Sequence, residues 1–457
     1  MIATLYILSI KYIVILVAII GVYFVIKKPL YALYILVFTF PFKNFYIWIG
    51  TDLQIWKLLS IAFLIFQTPK WILQVNKTNK IDKVMFIFLS FIIYVLFISI
   101  INTLFINPDN TKEMLGGYFK NEGRIFFQII FFLITVNLVF IPINVLKTFT
   151  DIVKIIKVLL FAIIVLAVLG FVQYLIVHLV GVDPFPIKGV NEVHSGFVLG
   201  IRDSIFRINS WAGEPKHMAI AMVIGITIIL LSRVYNLKII KYDLLILGLF
   251  VFNLIFTYST TGYVWVGIVL ILIVFIRGIL NWRSLLLMGI VGIIGLFMVL
   301  NMSTSMSNAM GKQIARAGIE IQDETIKSYF LDEPQHALIG TGLGNIHHYA
   351  VKYFPVNFPL FKDTPYKANS GFLFMLADFG LIGILLLYLV VGLLLQQNIR
   401  LLQKIDMKEK KEILVLVYLT AVFSILFLSR YNELFFILLG VMFAINKKLK
   451  NIEIKKG

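Results

Sequence analysis

The chain lacks cysteine altogether and has few charged residues. Its 457 residues contain no Cys, and only 14% are Asp, Glu, Lys or Arg. Without Cys there is no disulfide framework, no thiol nucleophile and no thiolate metal ligand. Hydrophobic residues make up 60% of the sequence, which is more apolar surface than a water-soluble core can bury. The composition therefore predicts an all-α polytopic integral membrane protein.

Long apolar runs recur along the chain. A bilayer core about 30 Å thick requires roughly 20 apolar residues per helical crossing, and a helix satisfies its own backbone groups there. Lys43, Asp52 and Lys57 interrupt the second and third runs. The pattern predicts about 12 to 14 crossings, near residues 5–26, 30–49, 53–67, 84–106, 124–143, 157–181, 217–232, 244–258, 263–276, 284–300, 370–395, 413–429 and 434–446.

Lys and Arg are concentrated in the short connections between these runs, where more than half of the 41 basic residues lie. Because cytoplasmic loops retain basic residues, these connections are predicted to be inside and the long polar segment 301–369 outside. The predicted organisation is an N-terminal bundle (1–300, with outer loops 107–123 and 183–216), a large extracytoplasmic loop (301–369), C-terminal helices (370–446) and a basic cytoplasmic tail (447–457).

The net charge of +18 could reflect either a nucleic-acid partner or a membrane. No basic stripe with interleaved aromatic residues occurs in the sequence. Basic loop ends are explained by topology and by attraction to anionic lipid head groups. The sequence therefore predicts membrane lipids as partners and no nucleic acid.

The predicted crossings carry almost no ionisable residues at their centres. A secondary transporter has such residues, or helices broken by Gly and Pro, near the midplane. His178 and Asp378 lie near predicted outer helix ends instead, and Asn137 and Asn253 are typical of hydrogen bonds between membrane helices. Chemistry is therefore expected at the outer surface.

Two polar motifs fall in this predicted outer surface. The first is Arg-x-x-Ser-x-x-x-Glu-Pro, from Arg207 to Pro215, directly before an apolar run. It has a purely structural explanation, because Pro suits the first turn of a helix and Glu complements the helix dipole. The second is Thr-x-Ser-x-x-Gly, from Thr257 to Gly262, which is typical of a reverse turn whose hydroxyls satisfy the backbone.

The third motif lies in the long polar interruption between Asn301 and Asn369. Its Gly-x-Gly-x-Gly run, Gly340 to Gly344, is typical of phosphate-binding loops but equally of flexible turns, since no strand precedes it. His347 and His348 are adjacent, so on one helix they diverge and do not share a metal. The sequence predicts no metal site.

In this order, the motifs resemble those of the O-antigen polymerase and O-antigen ligase family of bacterial envelope glycan assembly. The resemblance covers residues 190–395 in its motifs and the whole chain in its architecture. Besides the three motifs above, it rests on an Asn-x-x-x-Leu…Asp-x-Gly-x-x-Gly entry to the next helix, at Asn369, Leu373, Asp378, Gly380 and Gly383.

The resemblance implies a glycosyltransferase that uses an undecaprenyl-pyrophosphate-linked glycan at the outer face of the bacterial cytoplasmic membrane, with no cofactor. A leaving pyrophosphate suits the planar fork of Arg, and Arg207 and Arg316 are the candidates. An acceptor hydroxyl requires a general base, for which Glu214 is the first candidate and His336 the second. Predicted substrate contacts are Arg202, Ser210, Trp211, Lys216, His217, Gly340, Gly342, Gly344, Asn345, Asn369 and Arg430.

Two departures from the ligase pattern favour polymerisation of oligosaccharide repeats into a surface polysaccharide. Ala368 stands where ligases of the family carry a His before Asn369, and Thr260 stands where many members carry an Arg. The alternatives are a ligase that transfers the glycan to another acceptor, and a transporter or flippase that shares only the topology. A chain-length regulator and a flippase of the same pathway are expected partners.

Overall fold

A computed structural model of the chain describes residues 2–44, 46–48, 52–75, 82–105, 121–181, 183, 201–202, 205–277, 321–350, 353, 370–429 and 432–456. About 84% of these residues are helical. The helices are α1 (Ile2–Lys27), α2 (Pro29–Thr39), α3 (Ile55–Phe66), α4 (Thr68–Val75), α5 (Lys83–Leu104), α6 (Asn121–Val145), α7 (Phe149–Val180), α8 (Pro215–Val234), α9 (Asp243–Phe256), α10 (Thr260–Arg277), α11 (Ile321–Asp332), α12 (Pro334–Ile339), α13 (Ile346–Tyr349), α14 (Gly371–Lys404), α15 (Lys410–Ser429) and α16 (Leu434–Lys456).

The described helices include six that are long and apolar enough to cross a membrane, within α5, α6, α7, α8, α14 and α15. Shorter apolar helices accompany them in α1, α2, α3, α9 and α10. Backbone groups in hydrocarbon must be satisfied within the helix, and this architecture does so. The prediction of an all-α, multi-pass membrane protein is confirmed at this level.

Helix α7 shows how the sequence sets a helix boundary. The Thr148 hydroxyl accepts from the Asp151 amide at 3.1 Å, and the Asp151 carboxylate accepts from the Thr148 amide at 3.0 Å. This capping box satisfies two amides that have no helical partner. At the other end Gly181 adopts φ 75°, a left-handed helix cap. The helix therefore begins eight residues before the predicted crossing at 157, with Lys154 and Lys157 inside it.

The predicted crossing at 30–49 is wrong in its bounds. Helix α2 ends at Thr39, and the next residues form an antiparallel hairpin of β1 (Tyr46–Trp48) and β2 (Asp52–Gln54), with Ile47 opposite Leu53. Pro41 has no amide with which to continue the helix. A second short hairpin pairs β3 (Ile201–Arg202) with β4 (Ile205–Phe206).

The last helix also differs from its predicted bounds, since α16 continues through the basic tail to Lys456. Lys is a good helix former, and two ion pairs tie this extension to neighbouring helix ends, Lys450 with Asp82 and Lys404 with Glu453, each at 2.9 Å. The predicted crossing at 284–300 lies outside the described residues.

The chain divides into two compact units, each assembled from distant segments. Unit 1 comprises Met1–Ala62, Val145–Gly318 and Met407–Val422, and unit 2 comprises Phe63–Asn144, Ile319–Asp406 and Phe423–Gly457. Each unit therefore has its own packing.

In unit 1, helix α8 is buried along most of its length and packs on α7, α9 and α10. Small residues allow close approach, because Cβ atoms at Gly225 and Gly262 would meet Phe250 and Ala219. The side-chain amide of Asn253 in α9 donates to the Ala167 carbonyl of α7 at 3.0 Å. This bond confirms the predicted role of Asn253 between helices.

In unit 2, helix α14 packs on α5 and α16. Polar residues again join helices: Thr68 donates to the Asn137 side chain at 3.2 Å, and Asn446 donates to the Asn398 side chain at 3.0 Å. Such bonds hold membrane helices together at modest energies, about 1 kcal/mol each.

Candidate functional site

Arg207 joins the first two sequence motifs within unit 1. Its Nε donates to the Thr257 carbonyl at 2.9 Å and its Nη2 donates to the Tyr258 carbonyl at 3.1 Å. These carbonyls follow the end of α9, where carbonyls have no partner in a further helical turn and the helix dipole favours a cation. Arg207 therefore caps α9, and the block Arg207–Pro215 lies against the Thr257–Gly262 turn.

Gln173, near the end of α7, is hydrogen-bonded to the Arg207–Pro215 block. Its Oε1 accepts from the Asn209 and Ser210 amides at 3.2 and 2.8 Å. Its Nε2 donates to the Asn209 side chain at 2.6 Å and to Asp183 at 2.9 Å. Gln173 is fully buried, and its bonds to Asn209 and Ser210 are buried with it. Gln173 was not predicted as a site residue, although a single amide side chain in an apolar helix could have indicated it.

Ser210, a predicted substrate contact, is held in an unfavourable conformation. It begins a short 3-10 turn with φ 46°, a left-handed value that few residues other than glycine adopt readily. Its Oγ is buried and makes no hydrogen bond within the part of the chain that the structure describes. A buried hydroxyl without a partner is costly, so Ser210 adds an unfavourable contribution to the stability of this turn.

Replacing Ser210 by glycine is expected to stabilise the protein. Glycine adopts φ 46° without the steric cost and removes the buried hydroxyl, which together predict a gain of about 1 kcal/mol. The thermal unfolding midpoint of the purified protein measures it. Asn236→Gly is the matched control, because Asn236 has φ 53° but Asn tolerates this region better. Equal gains in both variants would contradict strain specific to Ser210.

The β1–β2 hairpin region lies on Trp211. The Asn44 amide donates to the Trp211 carbonyl at 3.2 Å, and the Phe42 and Trp211 rings meet edge to face at 6.2 Å. The Lys43 ammonium sits over the Phe40 and Trp56 rings, 4.2 and 5.5 Å from their centroids. Phe42 and Asn44 therefore contact Trp211, and the intervening Lys43 lies over two other aromatic rings. This contact was not predicted, because these residues were assigned to helices.

Glu214, Lys216 and His217 occupy the start of α8. Glu214 precedes Pro215 at the N-cap but makes no side-chain cap hydrogen bond. Its carboxylate pairs with the Lys216 ammonium at 2.6 Å, and these side chains are 48% and 36% exposed. The first candidate for the general base is therefore accessible and close to a cation. Its role in catalysis stays a prediction.

In unit 2, the Gly340 loop, Gly340–Asn345, packs against α14. The Thr341 amide and hydroxyl both donate to the Ala377 carbonyl, at 2.7 and 2.9 Å. The Gly344 amide donates to the Asp378 carboxylate at 2.9 Å. The third motif and the Asp-x-Gly entry to the next helix are thus hydrogen-bonded to each other.

The same loop also packs against α5. The Leu343 amide donates to Ser99 Oγ at 2.9 Å, and the Asn102 side chain donates to the Gly340 carbonyl at 2.9 Å. Asn345 donates to Thr103 Oγ1 at 3.1 Å. Most amides that could bind a phosphate therefore already donate to the protein. Substrate contacts at Gly340, Gly342, Gly344 and Asn345 stay predictions, while the geometry gives the loop a structural role.

Helix α14 is broken at Gly380, which has φ 66° and ψ 173° inside an otherwise continuous helix. Gly340, at φ 86°, lies directly against it: a Cβ at Gly340 would come within 2.7 Å of the Gly380 nitrogen. Two backbones can approach this closely only where neither residue has a side chain. The Asp-x-Gly motif was evident in the sequence, but the break in the helix was not predicted.

The His336 cluster comprises Tyr329, His336, Tyr349 and Tyr353. The Tyr329 hydroxyl is hydrogen-bonded to His336 Nδ1, the Tyr349 ring lies 5.0 Å from the imidazole, and the Tyr353 ring lies 5.7 Å from that of Tyr329. Burial lowers the pKa of His336, and the nearby Glu333 carboxylate opposes that shift. Burial raises the pKa of Tyr329 and of Tyr349. These pKa shifts favour the neutral forms of His336, Tyr329 and Tyr349 at physiological pH, with the Glu333 carboxylate nearby.

The lowered pKa of His336 predicts that acid destabilises the protein. As pH falls through 6.5, the pKa of His336 in the unfolded chain, the unfolded chain binds a proton that the folded protein does not. The free energy of unfolding therefore decreases as pH falls. Thermal unfolding between pH 7.5 and 5.5 measures this decrease, which should be smaller in His336→Gln. Identical pH dependence in the two proteins would contradict the expectation.

The structure brings the predicted residues together in two groups, one in each unit. Arg207, Ser210, Trp211, Glu214, Lys216 and His217 lie around the start of α8, and His336 lies next to the Gly340 loop through α12. Arg316, Asn369 and Arg430 lie outside the described residues, and of Arg202 only the backbone in β3 is described. Among the described residues, no three His, Asp or Glu are placed to hold a metal ion.

The chain matches no protein-family model and no curated protein sequence. The geometry of these residues, together with the sequence motifs, is therefore the basis for a functional proposal.

Proposed function

We propose that this protein is a membrane glycosyltransferase that polymerises undecaprenyl-pyrophosphate-linked oligosaccharide repeats at the outer face of the bacterial cytoplasmic membrane. In the proposed step, an acceptor sugar hydroxyl oxygen forms a bond to the anomeric carbon of the donor glycan. The bond from that carbon to the pyrophosphate breaks, the pyrophosphate leaves with the electron pair, and a base takes the hydroxyl proton. The product is a longer lipid-linked glycan.

The observation that carries the proposal is the pair of hydrogen bonds from Arg207 to the Thr257 and Tyr258 carbonyls. They join two motifs about 50 residues apart that the family resemblance selected independently of any structure. A purely local capping role for each motif did not require them to meet. The contact fixes a guanidinium at the end of the bundle that we assign to the outside, where a pyrophosphate would be bound.

The accessible carboxylate of Glu214 lies seven positions along the same block, at the N-terminus of α8. In the proposal it takes the proton from the acceptor hydroxyl. The N-terminus of a helix also favours an anion through its exposed amides and dipole. A leaving pyrophosphate and a proton-accepting carboxylate therefore both find suitable surroundings in this part of unit 1.

A transporter or flippase is the second candidate, and the break in α14 at Gly380 favours it. Broken helices in transporters expose backbone groups that bind substrates or ions. Here the Ala377 carbonyl beside the break already accepts two hydrogen bonds from Thr341. Because the chain itself occupies the break, we favour the transferase. A ligase of the same family is the other alternative.

The glycan profile of a strain lacking this protein tests the proposal. Loss of polymerase leaves single repeats on the final acceptor, whereas loss of a ligase leaves long lipid-linked chains that never reach it. Accumulation of lipid-linked repeats on the cytoplasmic side would indicate a flippase. An unchanged surface-glycan profile would contradict all three.

A further inference from the structure

We propose that the His336 cluster is a carbohydrate subsite in which His336 donates a hydrogen bond from Nε2 to a sugar oxygen and Tyr329 fixes that tautomer. This inference rests on the proposed function for the identity of the ligand, a sugar of the lipid-linked glycan. It replaces the sequence-based assignment of His336 as a general base with that of a neutral donor.

The burial of Tyr329 determines which group donates the hydrogen bond between Tyr329 and His336. Tyr329 is 2% exposed, and within the described part of the chain its hydroxyl has His336 Nδ1 as its hydrogen-bond partner. If Nδ1 donated instead, the buried O–H would lack an acceptor, which is unfavourable for a group removed from water. Tyr329 therefore donates to Nδ1. A neutral imidazole carries one proton, which must then be on Nε2.

The charge of the His336 imidazole determines which ligand atoms it can bind. Four titratable residues lie around the imidazole in the described part of the chain. They are Tyr329 in α11, Glu333 at the N-cap of α12, Tyr349 in α13 and Tyr353 after α13. Glu333 also accepts from the Gln335 side chain, which occupies part of its carboxylate. Burial keeps the imidazole neutral, so Nε2 carries a donor without a full positive charge. A neutral donor suits a hydroxyl or ring oxygen better than a phosphate.

Part of the His336 cluster is accessible to a ligand. His336, Tyr349 and Tyr353 are only partly buried, and no hydrogen bond to Nε2 forms among the described residues. The Tyr349 ring is fixed from below, because its hydroxyl donates to the Asn102 carbonyl of α5 at 2.7 Å. Rigid, partly exposed aromatic faces beside one polar donor are typical of small-molecule sites. A sugar offers C–H faces to such rings and hydroxyls to the donor.

Nitrogen-15 NMR of the protein in lipid bilayers, labelled at its six histidines, tests the tautomer directly. The signal that disappears in His336→Gln identifies the residue. We expect that signal to show a proton on Nε2 and none on Nδ1 at pH 7. In Tyr329→Phe, the signal should shift toward a mixture of tautomers. A proton on Nδ1, or a charged ring at pH 7, would overturn the proposal.

Glycan length in cells complementing the deletion tests the donor role. The side-chain nitrogen of Gln occupies the position of Nε2, and that of Asn occupies the position of Nδ1. We expect His336→Gln to keep chain length within about threefold, and His336→Asn and His336→Ala to reduce polymer by about tenfold, one lost hydrogen bond. His178→Gln, at an exposed histidine hydrogen-bonded to Tyr174, is the matched control. Equal loss in the Gln and Ala variants would exclude the donor role.

The two assays separate this inference from the function on which it rests. An unchanged glycan profile in the deletion strain would defeat the proposed function while leaving the NMR result interpretable. An Nδ1 proton would defeat the inference even if the protein were proved to be a polymerase.

Discussion

Gly380→Ala is expected to destabilise unit 2 by about 3 kcal/mol or more, enough to prevent most molecules from folding. A Cβ at this position would lie 2.3 Å from the Ile339 carbonyl carbon and 2.4 Å from the Gly340 nitrogen. Both are backbone atoms that cannot rotate away. The φ of 66° with ψ of 173° is also a conformation that essentially only glycine adopts. Yield of folded protein and its thermal unfolding midpoint measure the effect.

Gly392→Ala provides the matched control within the same helix. A Cβ there would meet nothing within 4 Å, and alanine is a better helix former than glycine by about 1 kcal/mol. This variant is expected to fold normally or to be slightly more stable. If both variants had the same unfolding midpoint, the close contact between Gly380 and the Ile339–Gly340 backbone would not exist in the protein.

Arg207→Ala is expected to remove long-chain glycan and to destabilise the Arg207–Pro215 block by about 2 to 4 kcal/mol. The variant loses two charged hydrogen bonds and leaves the buried Thr257 and Tyr258 carbonyls without them. Under the proposed function it also loses the cation that stabilises the leaving pyrophosphate. Glycan gels from complemented cells and thermal unfolding of the purified variant measure the two effects separately.

Two further variants separate stability from catalysis at this position. Arg207→Lys keeps the charge, but a single ammonium cannot donate in the forked geometry to both carbonyls, so we expect partial stability and little polymer. Arg233→Ala removes an exposed arginine that pairs with Asp243 at 2.8 Å and should leave glycan length unchanged. Full-length glycan from Arg207→Ala would refute the assignment of Arg207.

Apolar runs were sufficient to predict the long helices. The predicted crossing at 217–232 corresponds to α8 and that at 84–106 to α5, each within a few residues, because length and hydropathy alone indicate a helix that can span a membrane. The hairpin after α2 was missed because Phe40, Phe42, Tyr46 and Trp48 are as apolar as membrane residues. Their turn is formed by Pro41 and by tertiary contacts that hydropathy does not describe.

The residues that build the candidate sites were only partly predictable. Arg207 and Gly340 were identified by motif, as were Thr257 and Gly380, but the contacts between these motifs were not predicted. Ser99 and Asn102 contact the Gly340 loop across about 240 residues of sequence, and each is one polar side chain in an apolar helix. Spacing along the chain indicates neighbours on the same helix, whereas the partner of a single polar residue depends on how helices pack.

The contact between Thr341 and the Ala377 carbonyl also constrains the order of assembly. The segment Gly371–Phe379 cannot satisfy its last carbonyls by continuing the helix through Gly380, so it depends on a loop that is synthesised earlier. Residues 340–345 leave the ribosome before α14 does, so the loop has no hydrogen-bond partner in α14 until that helix has been synthesised. The segment Gly371–Phe379 is therefore expected to become stably inserted only when the loop docks, so that insertion and docking occur as one cooperative event.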